Sequence, residues 1–172
     1  MRNLTRTSAL LAATFALAAP ALAAPVAAPT QPPARALLLI PLTLTKVQDL
    51  NFGAVVPSGA PGTVTIDPAT GARTGSAEVT LVPSEVGQRG YFAGAGSVGQ
   101  QVIMALTPAT VLTNAVTGDT LNVLSMSLDG PNTRTIQADQ TFYVGVGGVI
   151  EVGADQPDGV YSATYDLTAD YQ

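Results

Sequence analysis

The sequence predicts an all-β domain of the sandwich type. Short runs rich in Val, Thr and Leu alternate with segments rich in Gly, Pro, Asn and Asp, a pattern typical of sandwiches. No helical hydrophobic period continues beyond residue 23, and only 11% of the residues are charged. With 172 residues, 47% of them hydrophobic, and no cysteine, the chain is long enough for one hydrophobic core without disulfides.

Residues 1–23 have the organisation of a secretory signal peptide. Arg2 and Arg6 precede an apolar run over residues 8–19, and Ala21-Leu22-Ala23 is a small-x-small cleavage pattern. A membrane helix needs about 20 apolar residues, and this run is shorter. We therefore expect cleavage after Ala23 and no membrane span in the mature protein.

Residues 24–40 are predicted to be an extension rather than part of the core. Four prolines in residues 24–34 remove backbone donors and exclude a central strand. The apolar run that follows has side chains on both faces of an extended chain: Ala36, Leu37, Leu38, Leu39 and Ile40. It is either a strand buried on both faces or a segment that completes another subunit. The β-domain itself is expected over residues 41–172.

The domain is predicted to contain a first strand after Pro41 and seven further strands, near residues 63–66, 76–82, 90–95, 102–107, 120–128, 141–152 and 160–171. Within residues 120–128 the apolar alternation changes phase from Leu121 and Val123 to Met126 and Leu128. This change predicts a bulge near Leu124.

The glycine-rich run Gly145–Gly148 lies inside a β-prone stretch. It resembles a phosphate loop only superficially, because no helix follows it to supply an anion-binding N-terminus. We interpret it as a glycine-rich hairpin or bulge.

The last strand carries the most regular pattern in the chain. Gly159 opens it, and apolar residues then occupy every second position, which places them on one face: Tyr161, Ala163, Tyr165, Leu167, Ala169 and Tyr171. The intervening positions are Ser, Thr or Asp. The pattern predicts one long, half-buried terminal strand.

This ending resembles that of chaperone–usher pilus subunits of bacteria. The likeness lies in Gly159, the alternating face and the penultimate aromatic residue, Tyr171. It implies an immunoglobulin-like β-sandwich that lacks one strand and leaves a groove along residues 159–171. In such subunits a chaperone, and then the N-terminal segment of the next subunit, fills the groove by β-strand addition. Residues 36–40 would be that donor strand.

A second resemblance covers nearly the whole mature chain. Lys46, Asp49–Gly53, Gly62–Pro68 and the pair Gly159 and Tyr161 look like the motifs of the DUF4402 family, a domain of unknown function found in secreted bacterial proteins. This resemblance implies an exported β-sandwich and no particular chemistry.

The residue inventory argues against catalysis and against cofactors. The chain has no His and no Cys, which removes the commonest general base, the thiol nucleophile and the usual zinc ligands. Asp139, Asp155 and Asp158 lack the spacing of a calcium loop and are interpreted as solvated turn residues. The few cations are scattered, so no basic patch for nucleic acid is predicted.

We therefore expect a structural pilus (fimbrial) subunit that polymerises by donor-strand exchange. The expected route is export through the periplasm to the surface of a Gram-negative bacterium. The expected partners are identical subunits, a periplasmic chaperone and an outer-membrane usher. The alternative is a non-polymerising secreted or surface β-sandwich that acts as an adhesive or ligand-binding module.

Overall fold

The computed structural model describes residues 26, 30, 31 and 33–172, which form an all-β structure. The predicted signal peptide and most of residues 24–32 lie outside the described residues. The chain divides into two compact units, Met1–Ala36 and Leu37–Gln172, and every strand belongs to the second. Within the described ranges, no helix is long and apolar enough to cross a membrane.

Eight strands form the large sheet, in the order β1-β6-β11-β9-β8-β12, and β3 pairs with both β11 and β4. Their bounds are β1 Thr43–Gln48, β3 Gly62–Ile66, β4 Arg73–Gly75, β6 Gly90–Ala95, β8 Val111–Asn114, β9 Thr120–Leu128, β11 Thr141–Val152 and β12 Tyr161–Ser162. Strand β11 is the longest, at 12 residues. Along one edge it pairs first with β6 and then with β3, while β9 covers the other edge.

The second layer of the sandwich consists of two separate small sheets. One has the order β10-β7-β13, with β7 at Gln101–Thr107, β10 at Thr133–Thr135 and β13 at Asp166–Tyr171. The other pairs β2, Val55–Pro57, with β5, Val79–Leu81. Each small sheet packs over a different half of the large sheet, so the second layer is discontinuous.

The core is accordingly divided into two apolar clusters. The larger cluster lies under β7 and β13 and contains Phe92, Val102, Met104, Ile136, Phe142, Val144 and Val146. The smaller cluster lies under β2 and β5 and contains Val64, Val79, Leu121, Ile150 and Val152. Burial of these side chains is the main stabilising contribution to such a fold.

Several sequence predictions are confirmed by the strand bounds. The strands expected at residues 90–95, 120–128 and 141–152 have those same limits. The bulge near Leu124 is also present, because Val149 faces Ser125 whereas Ile150 faces Val123, and Leu124 is left unpaired. The side chain of Leu124 is exposed as a consequence.

The expected hairpin or bulge at Gly145–Gly148 is wrong, because these residues lie in the middle of β11 and pair with their neighbours in continuous register. The space that side chains at Gly145, Gly147 and Gly148 would need is filled by the backbone of neighbouring residues. A Cβ on Gly147 would collide with the carbonyl of Ile66, at the point where the partner of β11 changes from β6 to β3. Glycine is required here for close backbone approach.

Two expectations about the ends of the domain also need correction. The single terminal strand is wrong: β12 joins β8 in the large sheet and β13 joins β7, with a break at residues 163–165. The run Leu37–Ile40 is not a strand buried on both faces, because it is exposed and outside every strand.

Candidate functional site

An apolar cleft of about 730 Å³ opens where the second layer is discontinuous. Its floor consists of core-facing side chains of the large sheet: Leu112, Leu121, Val123, Met126, Ile150 and Val152. One wall is formed by residues 50–57, which include β2, and the other by residues 156–163 with Tyr165. Leu112, Val123 and Met126 of this floor are partly exposed, whereas Leu121, Ile150 and Val152 are buried.

Two strands of the second layer each have an unpaired edge, and one of them, β13, begins directly after the cleft residue Tyr165. Among the described residues, β13 pairs only with β7, and β2 pairs only with β5. The amide of Gln172 donates to the carbonyl of Gln101 at 3.0 Å, which fixes the hydrogen-bonding phase of β13. In an antiparallel pair this phase alternates, so the backbone groups of Leu167, Ala169 and Tyr171 point towards the unpaired edge.

The same three residues turn their side chains towards the core. Leu167, Ala169 and Tyr171 are half-buried and pack against the larger apolar cluster. The free edge of β13 thus presents unsatisfied backbone groups beside partly covered apolar side chains. An edge of this kind is a template for pairing with another strand.

Tyr171 also closes one end of the domain. Its hydroxyl donates to the carbonyl of Ile40 at 2.7 Å and accepts from the amide of Ser97 at 2.8 Å. The amide of Ile40 in turn donates to Ser97 Oγ at 2.7 Å. The root of the N-terminal segment is therefore tied to the end of β13.

Tyr165 lies at the junction between the cleft and the larger apolar cluster. Its ring meets the ring of Phe92 edge-on, with centroids 6.3 Å apart and an interplanar angle of 76°. Burial raises the pKa of the Tyr165 hydroxyl, and the carboxylate of Asp49 raises it further. This tyrosine is consequently neutral over the physiological pH range.

Gly159 has a structural reason for being glycine. Its φ of 143° lies in a region that L-residues rarely adopt, and a Cβ there would collide with Asn114 Nδ2. Asn114 is the buried polar residue at the end of β8, 3% exposed, and its Oδ1 accepts from the amide of Val116 at 3.0 Å. Gly159 therefore allows the chain to pass Asn114 and to enter β12.

A small polar network forms the rim of the cleft beside β12. Gln156 Nε2 donates to the Tyr161 hydroxyl at 3.0 Å, and that hydroxyl donates to the carbonyl of Pro157 at 2.8 Å. Of the remaining alternating residues, Ala163 is exposed in the break between β12 and β13. The predicted groove residues thus divide between the cleft, at Gly159 to Tyr165, and the edge of β13.

Residues 36–40, the predicted donor segment, are exposed throughout. Leu37 is 73% and Leu38 88% exposed, and Leu39 and Ile40 are 37% and 48% exposed. Ala36 is exposed as well. Four large apolar side chains in succession are left in solvent, which is unfavourable without a partner surface.

Ile40 and the cleft lie at opposite ends of the sandwich. Thr43 at the start of β1 pairs with Ala95, which also pairs with Thr141 at the start of β11. We call this the Ser97 end, because Ser97 and Ile40 meet there. The cleft contains Val152, the last residue of β11, and so lies towards the other end. Twelve residues of strand span about 36 Å.

Sequence reasoning missed the wall formed by residues 50–57. The motif Asp49–Gly53 was noted only as a family likeness, yet it builds this wall. Asn51 Oδ1 accepts from the amide of Gly53 at 2.8 Å, and Gly53 has a φ of 72°. An Asn two residues before a Gly is a turn signal that could have located the bend.

No metal site accompanies the cleft in the part of the chain that the structure describes. No group of three or more acidic, His or Cys side chains there could hold a metal ion. Asp139 Oδ1 accepts from the amide of Thr141 at 3.1 Å, and the Thr141 hydroxyl together with that amide lowers the pKa of the Asp139 carboxyl.

The fold and the cleft define a β-sandwich domain with a discontinuous second layer. The family model described as "Domain of unknown function (DUF4402)" matches residues 42–171, a range that includes all of the strands. The chain belongs to the DUF4402 family. No curated protein and no solved structure matches it.

Proposed function

We propose that this protein is a structural subunit of a surface filament, polymerised by donor-strand exchange. The observation that carries the proposal is the free edge of β13, which begins directly after the cleft residue Tyr165, in a chain whose residues 37–40 are apolar and exposed. In this proposal the free edge accepts a strand, and residues 36–40 supply one.

The position of Ile40 favours exchange between copies. Ile40 leads directly into β1, which runs from the Ser97 end towards the cleft end. To pair with the free edge of its own β13, the segment would have to reverse direction at Ile40, whose amide and carbonyl are held by Ser97 and Tyr171. To enter the cleft of a next copy, it only has to continue outwards. A contact between two different surfaces does not close on itself, so it generates a filament.

The expected energy of strand addition is large. In an added strand alternate side chains face the core, so three of the residues 36–40 would be covered in one phase and two in the other. Each large apolar side chain contributes about 1.5–3 kcal/mol when buried. Backbone pairing with Leu167, Ala169 and Tyr171 would add main-chain hydrogen bonds. Ordering the segment offsets part of this gain.

The proposal includes export through the periplasm, cleavage after Ala23, and a periplasmic chaperone and outer-membrane usher as partners. A chaperone is physically reasonable because a free subunit would expose the cleft and the β13 edge, which promote aggregation. The role is architectural rather than catalytic.

The test uses the mature chain with residues 24–39 deleted, which keeps Ile40 and its bonds to Ser97 and Tyr171. A synthetic peptide of residues 24–40 should bind this domain and raise its melting temperature, as any ligand specific for the native state does. Size-exclusion chromatography should show chains for the intact protein and monomers for the deletion variant.

Two control peptides make the test sharper. One carries Asp at positions 37 and 39, and the other carries Asp at positions 38 and 40. Because a strand buries only one face here, one control should bind and the other should fail, which assigns the register. If the unsubstituted peptide has no effect and the intact protein is monomeric at all concentrations, donor-strand exchange is wrong for this protein.

A second use of the cleft is binding a small apolar ligand in a non-polymerising secreted or surface module. The volume of about 730 Å³ and the polar rim at Gln156 and Tyr161 favour this alternative. A monomeric intact protein whose melting temperature is raised by a long-chain fatty acid or another apolar probe, but not by the peptide, would support it.

A further inference from the structure

Arg73, at the start of β4, makes an unusual set of hydrogen bonds. Its guanidinium donates only to backbone carbonyls: Nη1 to Phe52 at 3.2 Å, Ala54 at 3.1 Å and Glu85 at 2.9 Å, and Nη2 to Val82 at 2.8 Å. Among the described residues it forms no ion pair with a carboxylate. The planar fork of a guanidinium suits it to several fixed acceptors at once, which an ammonium cannot match.

Three of the four carbonyls that Arg73 binds belong to residues that line the cleft. Phe52, Ala54 and Glu85 all line it. Glycine at position 53 makes the arrangement possible, because a Cβ there would collide with Arg73 Nη1. The Asn51-Phe52-Gly53 turn therefore aims the Phe52 carbonyl at Arg73.

Apart from Arg73, the wall formed by residues 50–57 is held by a few backbone pairings, such as the bridge between Asn51 and Gln88. Strand β2 is three residues long and pairs only with β5, which is also three residues long. A two-stranded ribbon of this size is marginal by itself. Arg73 belongs to β4, which pairs with β3 of the large sheet. Its side chain therefore links the wall to the large sheet.

We propose that Arg73 is a positioning residue that holds the β2 wall at the distance from β13 that an incoming strand requires. This inference rests on the proposed function. Arg73 acts through the wall and not by touching the added strand. Removing Arg73 should reduce the fraction of molecules whose cleft can accept a strand. The apparent affinity for the strand should fall in proportion to this fraction.

Two backbone amides report directly on this arrangement. Ala54 donates to the carbonyl of Glu85 at 3.2 Å, and Val82 donates to the carbonyl of Ala54 at 3.1 Å. Both carbonyls are also acceptors of Arg73. If the guanidinium holds the wall, these two amides should exchange with solvent much faster without it.

The experiment compares Arg73→Lys and Arg73→Gln with Arg89→Lys. Arg89 is a matched control, since its guanidinium also donates to backbone carbonyls, those of Pro68 and Ala69, which do not line the cleft. Hydrogen exchange is measured on the intact mature protein. Binding of the peptide of residues 24–40 is measured by stopped flow on the variants lacking residues 24–39.

In Arg73→Lys we expect exchange at Ala54 and Val82 to accelerate at least tenfold, while amides of β11 stay protected. We expect the peptide association rate to fall about tenfold with an unchanged dissociation rate, the signature of a less populated competent state. If Arg73 only stabilised the fold, its replacement would lower global stability but would not slow peptide association while leaving dissociation unchanged. Arg89→Lys should change neither measurement.

Unchanged exchange at Ala54 and Val82 in both Arg73 variants would overturn the inference. So would faster exchange together with an unchanged association rate. Failure of the unsubstituted peptide to bind the domain with Arg73 intact is a different result, which overturns the proposed function. Arg73→Lys keeps the positive charge and leaves the reporting amides of Ala54 and Val82 in place. This variant therefore tests the inference even if Arg73→Gln does not fold.

Discussion

Replacing Tyr171 by Phe isolates the hydroxyl that joins the two ends of the domain. The change keeps the ring against the apolar core but removes the bonds to Ile40 and Ser97. A typical intramolecular hydrogen bond contributes about 0.5–1.5 kcal/mol net. Ile40 is 48% exposed, so water can replace the Tyr171 hydroxyl as the donor to its carbonyl. The amide of Ser97 is part-buried, so losing the same hydroxyl as its acceptor costs more free energy. We expect a loss of about 1–2 kcal/mol, or about 4 °C in melting temperature.

Urea unfolding of the mature chain measures this loss by linear extrapolation. Tyr143→Phe is the matched control, because Tyr143 is 50% exposed and its hydroxyl has no hydrogen-bond partner within the described residues. It should change stability by less than about 0.5 kcal/mol. Equal stabilities of the two Phe variants would refute the argument that the Tyr171 hydroxyl fastens Ile40. Tyr171→Ser should cost more than Tyr171→Phe, since it also removes the ring.

Two further predictions concern the cleft. Gly159→Ala should destabilise the domain by about 1–3 kcal/mol, because it combines backbone strain with a collision against Asn114. Gly99→Ala is the control, since Gly99 has a φ of 74° but open space around it. In the same urea titration it should destabilise the domain less. The pKa of the Tyr165 hydroxyl is higher in the folded protein than in the unfolded chain, so the unfolded chain loses this proton at lower pH. The free energy of unfolding should therefore fall above a pH of about 10. Below that pH its contribution is constant. Unfolding midpoints from pH 8 to 11 should fall less steeply in Tyr165→Phe, and parallel profiles would contradict this assignment.

The sequence was sufficient where one physical signal dominated. A change of apolar phase located the bulge at Leu124, because the two faces of β9 meet different environments. Long alternating runs located β6, β9 and β11 for the same reason. The short strands β2, β4, β8 and β10 were missed, since three or four residues carry too little periodicity.

The terminal strand shows why alternation alone is insufficient. Tyr161 and Leu167 follow one unbroken pattern, yet β12 pairs with β8 and β13 pairs with β7. Each segment faces the core from a different sheet, so burial repeats with the same period on both sides of the break. Only long-range pairing distinguishes the two, and local sequence does not encode it.

The cleft could not be derived for a related reason. Its walls come from residues 50–57 and 156–165, and its floor from β8, β9 and β11. These segments are brought together only by the order of strands in the sheets. Of the predicted groove residues, Gly159, Tyr161, Ala163 and Tyr165 line the cleft, and their role as a strand-accepting groove stays a prediction.

The direction of β1 has a mechanical consequence. Strand β1 begins three residues after Ile40 and is antiparallel to β6 over the pairs from Thr43 with Ala95 to Gln48 with Tyr91. A pull applied at Ile40 along the axis of β1 would load these cross-strand bonds in shear, all together, rather than breaking them one after another. The bonds from Ile40 to Ser97 and Tyr171 lie at the point where the force enters. We expect a high unfolding force in this direction, governed by the unfolding rate and not by the equilibrium stability.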